Sequence, residues 1–164
     1  MNEKHCTLLF LRKDDQILLA MKKRSFGEGK WNGVGGKLDP RETFEQSMLR
    51  ETREEIDVIP MHYWKVAEHD FHEFHKGEAS RMLVHVYFCD EWQREPVESE
   101  EMRPQWFSVK DIPYADMWPD DEYWLPQVLS GNKVIAEFHI DENDVITQHD
   151  VKVVEKFSDE PATA

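Results

Sequence analysis

The chain has 164 residues and 40% hydrophobic content, which suits one folded domain and excludes a disordered chain. Its formal net charge of -14 argues against a nucleic-acid polymer as partner, because such binding rests on Lys and Arg that neutralise phosphates. There is no apolar run long enough to span a membrane and no signal-peptide pattern, so we expect a cytoplasmic protein without a membrane partner.

The N-terminal part predicts two strands followed by a glycine-rich loop. Residues 5–12 and 16–23 are apolar and flank two turn-forming aspartates, which is typical of a hairpin. Residues 24–36 are rich in glycine and predict a loop with one short extended piece near Val34.

A helix is predicted directly after this loop. Thr43 and Gln46 have the spacing of a capping box, in which each side chain satisfies the other residue's backbone N–H. The apolar residues that follow, among them Met48, Leu49 and Ile56, fall on one side at helical spacing.

The C-terminal part predicts two more hairpins and a second helix. Residues 63–74 and 80–92 are rich in aromatic and β-branched residues and predict paired strands around a Lys-Gly turn, with a short strand at 105–109 after them. Residues 118–132 predict a helix with Pro119 in its first turn, kinked or shortened before Pro126.

A final hairpin is predicted from residues 135–140 and 145–155. The expected fold class is α/β (α+β), a single mixed domain with a largely antiparallel sheet and helices packed against it. We place this domain at residues 1–155 and expect residues 156–164 to be a flexible polar tail.

Three glutamates mark the first helix as a candidate metal site. At 100° per residue, Glu51, Glu54 and Glu55 share one face, where their carboxylates repel one another. A hard divalent cation removes that repulsion, because Mg²⁺ takes oxygen ligands from carboxylates and substrate phosphates. The alternative is a solvated face on which Arg50 and Arg53 neutralise the glutamates.

The glycines and charged residues together resemble a known motif. Gly36, Glu42 and residues 50–58 resemble the Nudix box, which carries a glycine, a glutamate, Arg-Glu and Glu-Glu at fixed spacing. The resemblance implies a Nudix fold, a mixed and largely antiparallel sheet between helices, and hydrolysis that depends on Mg²⁺, with Mn²⁺ as a possible substitute. Thr52 and Asp57 depart from the pattern, which usually has an aliphatic residue and a glycine there.

The resemblance also assigns roles in catalysis and metal binding. Glu51, Glu54 and Glu55 would hold the metal, Arg50 would orient a glutamate, and Gly36 would offer its backbone beside the metal. Outside the box, Glu101 matches a glutamate that approaches the metal and water, as a ligand or as a base.

Three further segments, residues 18–37, 97–104 and 116–124, are similar to the branch of the family that hydrolyses oxidised purine nucleoside triphosphates. The implied substrate-binding residues are Thr7, Lys22, Asn32, Phe71, Phe74, Met82, Met102, Trp118, Asp120, Asp121 and Trp124. Alternatives remain for these residues: the apolar ones are each typical of a core, and Asp120-Asp121 is also typical of the first turn of a helix.

The expected function is Mg²⁺-dependent hydrolysis of 8-oxo-dGTP and 2-hydroxy-dATP to a monophosphate and pyrophosphate, by a monomer that binds a small-molecule nucleotide. The alternatives are hydrolysis of another purine nucleotide, such as an O6-methylated one, and nucleotide sensing without turnover. A transition-metal site at His69, His72 and His75 is disfavoured, because residues three apart on a strand point to opposite faces.

Overall fold

The computed structural model describes residues 2–160. Its elements are β1 (Asn2–Lys13), β2 (Gln16–Lys22), β3 (Trp31–Asn32), α1 (Phe44–Ile56), β4 (Ile59–His75), β5 (Glu78–Gln93), β6 (Met102–Ser108), α2 (Asp121–Leu129), β7 (Lys133–Ile140) and β8 (Ile146–Val154). The strands form one sheet of order β3-β2-β1-β5-β4-β7-β8, with β6 paired to β2. Pairs β1–β5 and β4–β7 are parallel and the others antiparallel, which confirms the predicted mixed fold.

The sheet separates two hydrophobic cores. Successive side chains of a strand point to opposite faces, so Leu9 and Leu11 of β1 pack with Met48 of α1, whereas Phe10 packs with Trp124 of α2. Each helix therefore covers one face of the sheet. Within residues 2–160, neither helix has the length and apolar character that crossing a lipid bilayer requires.

Helix α1 begins as predicted. The Thr43 side chain accepts a hydrogen bond from the Gln46 backbone N–H at 3.1 Å, and the Gln46 side chain accepts one from the Thr43 N–H at 2.9 Å. This capping box fixes the start of the helix, and with it the direction in which the glutamates of the next three turns project.

The two departures from the Nudix pattern are both accommodated. The buried Thr52 hydroxyl donates to the Met48 carbonyl at 2.7 Å, so its polar group has a partner inside the helix. Asp57 ends α1 in the left-handed conformation, with φ of 59°. Its carboxylate accepts from Arg53 at 2.9 Å and from Arg94 at 2.6 Å, contacts that a glycine lacks.

The predicted hairpins are present, with β1, β4, β5 and β7 longer than the residue pattern indicated and β2 and β8 shorter. Strands β4 and β5 pair from Ile59 to the turn at Lys76 and Gly77, where both residues have positive φ, as a two-residue hairpin turn requires. Strands β7 and β8 form the last hairpin.

The second helix differs from its prediction. It begins at Asp121 and ends at Leu129, so Pro119 precedes it and Pro126 lies inside it without ending it. Trp124 and Leu125 are fully buried against the sheet. This packing holds the turn that proline would otherwise weaken, because tertiary contacts override local propensity.

Residues 156–160, which the sequence predicts as part of a flexible tail, pack against the domain. Phe157 is fully buried, and the ammonium groups of Lys65 and Lys133 lie 4.7 and 5.8 Å from its ring centre. Lys65 also pairs with Asp159 at 2.8 Å, and Lys133 with Glu160 at 3.0 Å. The buried Phe157 ring thus extends the folded domain beyond residue 155, the predicted end. The remaining tail residues, 161–164, lie outside the described residues.

Candidate active site

Arg50 organises the carboxylates of α1. Its guanidinium donates to both oxygens of Glu42, at 2.7 and 2.9 Å, and to Glu51 at 2.9 Å and Glu54 at 3.2 Å. The bidentate hydrogen bonds from Arg50 lower the pKa of Glu42 to about 2. Glu42, which entered the sequence argument only as a motif position, is thus the group that holds Arg50 toward Glu51.

Glu55 is the most buried carboxylate of the helix, with 6% of its surface exposed. The backbone N–H of Gly35 donates to its Oε2 at 3.3 Å. Burial first, and then the negative charge of Glu51, raises the pKa of Glu55 to about 8. A carboxylate buried beside a second carboxylate is stabilised as an anion by a cation between them.

Gly36 lies directly against Glu51. A Cβ atom at Gly36 would come within 2.8 Å of the Glu51 carboxylate, so only glycine permits this approach of loop and helix. The Gly36 carbonyl accepts from the Thr7 N–H at 3.0 Å, which ties the loop to β1. The atoms that could act as metal ligands here are all oxygens, so they fit a hard divalent cation such as Mg²⁺ or Mn²⁺.

Glu101 is joined to this cluster through Lys22. The Lys22 ammonium lies 3.5 Å from Glu101, and its positive charge also acts on Glu55. Arg24 contacts the other Glu101 oxygen at 3.3 Å. The charge of Lys22, followed by the hydrogen bond from Arg24, lowers the pKa of Glu101, so this partly exposed residue is ionised at neutral pH.

A cavity of about 340 Å³ lies beside the carboxylates, and Gly35 and Gly36 form part of its wall. Most of the predicted substrate-binding residues line it: Thr7, Lys22, Asn32, Phe71, Met82, Met102, Trp118, Asp120 and Asp121. The structure brings together residues from β1 to β6, from the segment before α2 and from the first residue of α2, which the sequence separates by more than a hundred positions.

Two predicted substrate-binding residues lie elsewhere. Phe74 is 54% exposed, because it is three residues from Phe71 on β4 and therefore points to the opposite face. Trp124 is fully buried in the core, where its indole N–H donates to Asp120 at 3.0 Å. Trp124 therefore supports a cavity residue without itself forming the cavity wall.

Asp120 and Asp121 are both buried in the cavity wall. Burial raises the pKa of Asp120 to about 6. Burial and then the negative charge of Asp120 raise the pKa of Asp121 well above its ordinary value. Because the Trp124 N–H stabilises the Asp120 anion, the favoured state keeps Asp120 ionised and Asp121 protonated, which offers one acceptor and one donor.

The mouth of the cavity carries aromatic and amide groups. The ring centre of Trp118 is 5.1 Å from that of Phe26 and 5.2 Å from the Lys30 ammonium. The Asn32 side-chain oxygen accepts from the Gly33 N–H at 2.8 Å, which leaves its amide nitrogen to donate to a ligand. Phe26, a further residue that the sequence places at the pocket, lines the cavity with 79% of its surface exposed, and Lys30 lines it without having been predicted.

The histidines of β4 do not converge, as strand geometry requires. His69 lines the cavity, whereas His72 lies on the other face with Glu137 and His139. A further group on that face consists of Glu68, His85 and Asp159, and there the ammonium of Lys65 contacts both carboxylates.

Comparison with known proteins agrees with this geometry. A family model described as NUDIX domain matches residues 3–128. Oxidized purine nucleoside triphosphate hydrolase from Mus musculus is 42% identical over 153 residues, 92% of this chain and 96% of the mouse protein. The protein of the same name from Danio rerio is 42% identical over 149 residues, 91% of this chain and 94% of its own. A mutator MutT protein from Bacillus halodurans, solved by crystallography, has a TM-score of 0.80 at 21% identity, covering 96% of this chain and 99% of that one, which shows the fold alone.

Proposed function

The chain belongs to the Nudix family, and we propose that it is a Mg²⁺-dependent hydrolase of oxidised purine nucleoside triphosphates such as 8-oxo-dGTP and 2-hydroxy-dATP. The products are a nucleoside monophosphate and pyrophosphate, and the role is removal of damaged nucleotides from the cytoplasmic pool by a monomer. The observation that carries this proposal is the position of a buried carboxyl pair in a cavity that shares Gly35 and Gly36 with the glutamate cluster.

Glu51, Glu54 and Glu55 hold the cation in this proposal, with the Gly36 carbonyl beside them. When bound, Mg²⁺ neutralises the phosphates and polarises the attacked phosphorus, and Mn²⁺ can replace it. Arg50 keeps Glu51 oriented through its contact at 2.9 Å. A glutamate of this cluster takes the proton of the attacking water, and Lys22 adds a positive charge where the triphosphate enters.

The purine occupies the cavity. Trp118 offers an indole face for stacking, and the Asn32 amide nitrogen donates to the base edge. Asp121 donates its proton while the Asp120 carboxylate accepts, which matches a base edge that carries both an acceptor and a donor. An oxidised purine differs from an ordinary one in these edge groups, so the pair provides the basis for selection.

The first test is steady-state pyrophosphate release with Mg²⁺ from 8-oxo-dGTP, 2-hydroxy-dATP, O6-methyl-dGTP and dGTP. We expect kcat/KM for an oxidised purine to exceed that for dGTP by about a hundredfold, which corresponds to about 2.7 kcal/mol. If kcat/KM is highest for O6-methyl-dGTP, the substrates are methylated purine nucleotides instead. Equal or absent turnover of all four contradicts the proposal while leaving the family assignment intact.

The Glu55→Gln variant distinguishes a hydrolase from a protein that binds nucleotides without turnover. The amide keeps the size of the side chain but loses the anionic ligand, so we expect most turnover to disappear while nucleotide binding is retained. Binding of 8-oxo-dGMP, measured calorimetrically, serves as the control. Unchanged turnover contradicts the metal role assigned to Glu55.

A further inference from the structure

Buried polar atoms without hydrogen-bond partners concentrate at the cavity. Among residues 2–160, Thr7 Oγ1, His69 Nε2 and Asp121 Oδ2 are inaccessible and unpaired, and all three side chains line this one cavity. An unpaired polar atom in a protein interior costs free energy, so such atoms are rare unless a ligand or water completes them. Thr7 and Asp121 belong to the proposed substrate site, whereas His69 has no role so far.

His69 is held in an apolar setting that selects its neutral form. Only 2% of its surface is exposed, and its ring packs against Trp124 at 4.4 Å, Phe71 at 5.7 Å and Phe138 at 5.8 Å between ring centres. This burial lowers the pKa of His69 to about 3. A neutral imidazole carries one N–H donor and one acceptor nitrogen, so His69 can form a hydrogen bond of either polarity without introducing a charge.

His69 lies on the side of the cavity where we place the base, and not on the side where we place the phosphates. Trp124 connects it to the carboxyl pair, since the same indole that contacts His69 donates its N–H to Asp120 at 3.0 Å. Phe71 and Glu73 follow His69 on the same face of β4, and both also line the cavity. This face therefore presents an apolar ring between two polar groups, which suits a flat heterocycle with polar edges.

We infer that His69 is a specificity-determining residue whose ring turns toward the cavity when a purine binds and forms a hydrogen bond with the edge of the base, beside Asp120 and Asp121. The inference rests on the proposed function and deepens it by assigning a further base-reading group. It assigns His69 no part in bond cleavage, because the glutamates of α1 lie on another element. A purely structural His69 would instead fill core volume, a role that a leucine of similar size performs.

The test compares His69→Leu, which removes the hydrogen bond, with His69→Gln, which retains an uncharged donor and acceptor. We expect His69→Leu to raise KM for the preferred oxidised purine by about tenfold, the value of one hydrogen bond, with kcat within about twofold of wild type. His69→Gln restores KM to within about threefold. Binding of the nucleoside monophosphate without added metal, measured calorimetrically, follows the same order.

His72→Leu is the matched control. His72 is on the same strand but lies on the opposite face of the sheet, where its Nε2 is 3.1 Å from Glu137, so its variant keeps the wild-type KM. Thermal unfolding of all three variants shows whether the fold is retained. If wild type is active and His69→Leu keeps its KM, or if His69→Gln is as impaired as His69→Leu, the inference is overturned and the proposed function stands. If wild type hydrolyses no oxidised purine, the proposed function itself fails.

Discussion

Replacing Gly36 with alanine tests the contact between the loop and α1, the helix that holds the cation in the proposed function. The added Cβ would lie 2.8 Å from Cδ and Oε1 of Glu51, whereas an ordinary contact begins at 3.4 Å. The carboxylate must therefore retreat by about 0.6 Å, a large fraction of a Mg²⁺–oxygen bond of about 2.1 Å. Misplacement on the order of 1 Å costs about a hundredfold in rate, so we expect kcat/KM to fall by roughly ten- to a hundredfold.

The fold should withstand this change, since Gly36 does not have positive φ. Pyrophosphate release at several Mg²⁺ concentrations measures the activity, and thermal unfolding measures the stability. Gly33→Ala is the comparison: its Cβ would lie 2.9 Å from the Leu9 carbonyl and from the Phe10 ring, so it should lower the melting temperature. The reasoning is refuted if Gly36→Ala keeps wild-type activity, or if it loses activity only because it unfolds.

Three more outcomes follow from burial and charge. Because the pKa of Glu55 rises from 4.5 to about 8 on folding, the contribution of Glu55 to the stability of the metal-free protein is full below about pH 4.5 and is lost as pH rises through 8. Glu55→Gln removes this loss, so its melting temperature at pH 8 without metal should exceed that of wild type, by up to roughly 4 kcal/mol in stability. Equal melting temperatures would contradict the burial argument. Phe157→Ala should cost about 3–5 kcal/mol in urea unfolding, and a loss below about 1 kcal/mol would mean that the C-terminal segment anchors nothing. Asp121→Asn imitates the protonated acid and should retain about tenfold more kcat/KM on an oxidised purine than Asp120→Asn; the reverse order would place the proton on Asp120.

Sequence patterns were reliable where one local interaction decides the structure. The capping box at Thr43 and the hairpin turn at Lys76 both formed as predicted, because each depends on residues within four positions of one another. The structure at Pro126 and at Phe157 is decided by distant interactions instead. Distant packing partners hold a helix through the first and bury the second, and no local pattern reports those partners.

The candidate site shows the same division. Motif spacing was enough to single out the glutamates of α1, and family resemblance pointed to Asp120 and Asp121. Strand alternation along β4 separates Phe71 from Phe74 and places His69 on the same face as Phe71, so the sequence does carry a signal for these positions. The His69 ring lacks a polar partner because it packs against Trp124 and Phe138. The pattern of residues along β4 gives no information on that packing.

The glutamates and the cavity wall belong to different parts of the chain. Glu51, Glu54 and Glu55 come from one helix, whereas the side chains that surround the cavity come from strands on both sides of it in sequence and from the segment before α2. Under the proposed function, random mutation can therefore alter what the cavity accepts without changing the glutamates to which we assign bond cleavage. A laboratory lineage selected on a new damaged nucleotide should accumulate its changes on β4 and around Trp118, and its α1 should remain as inherited.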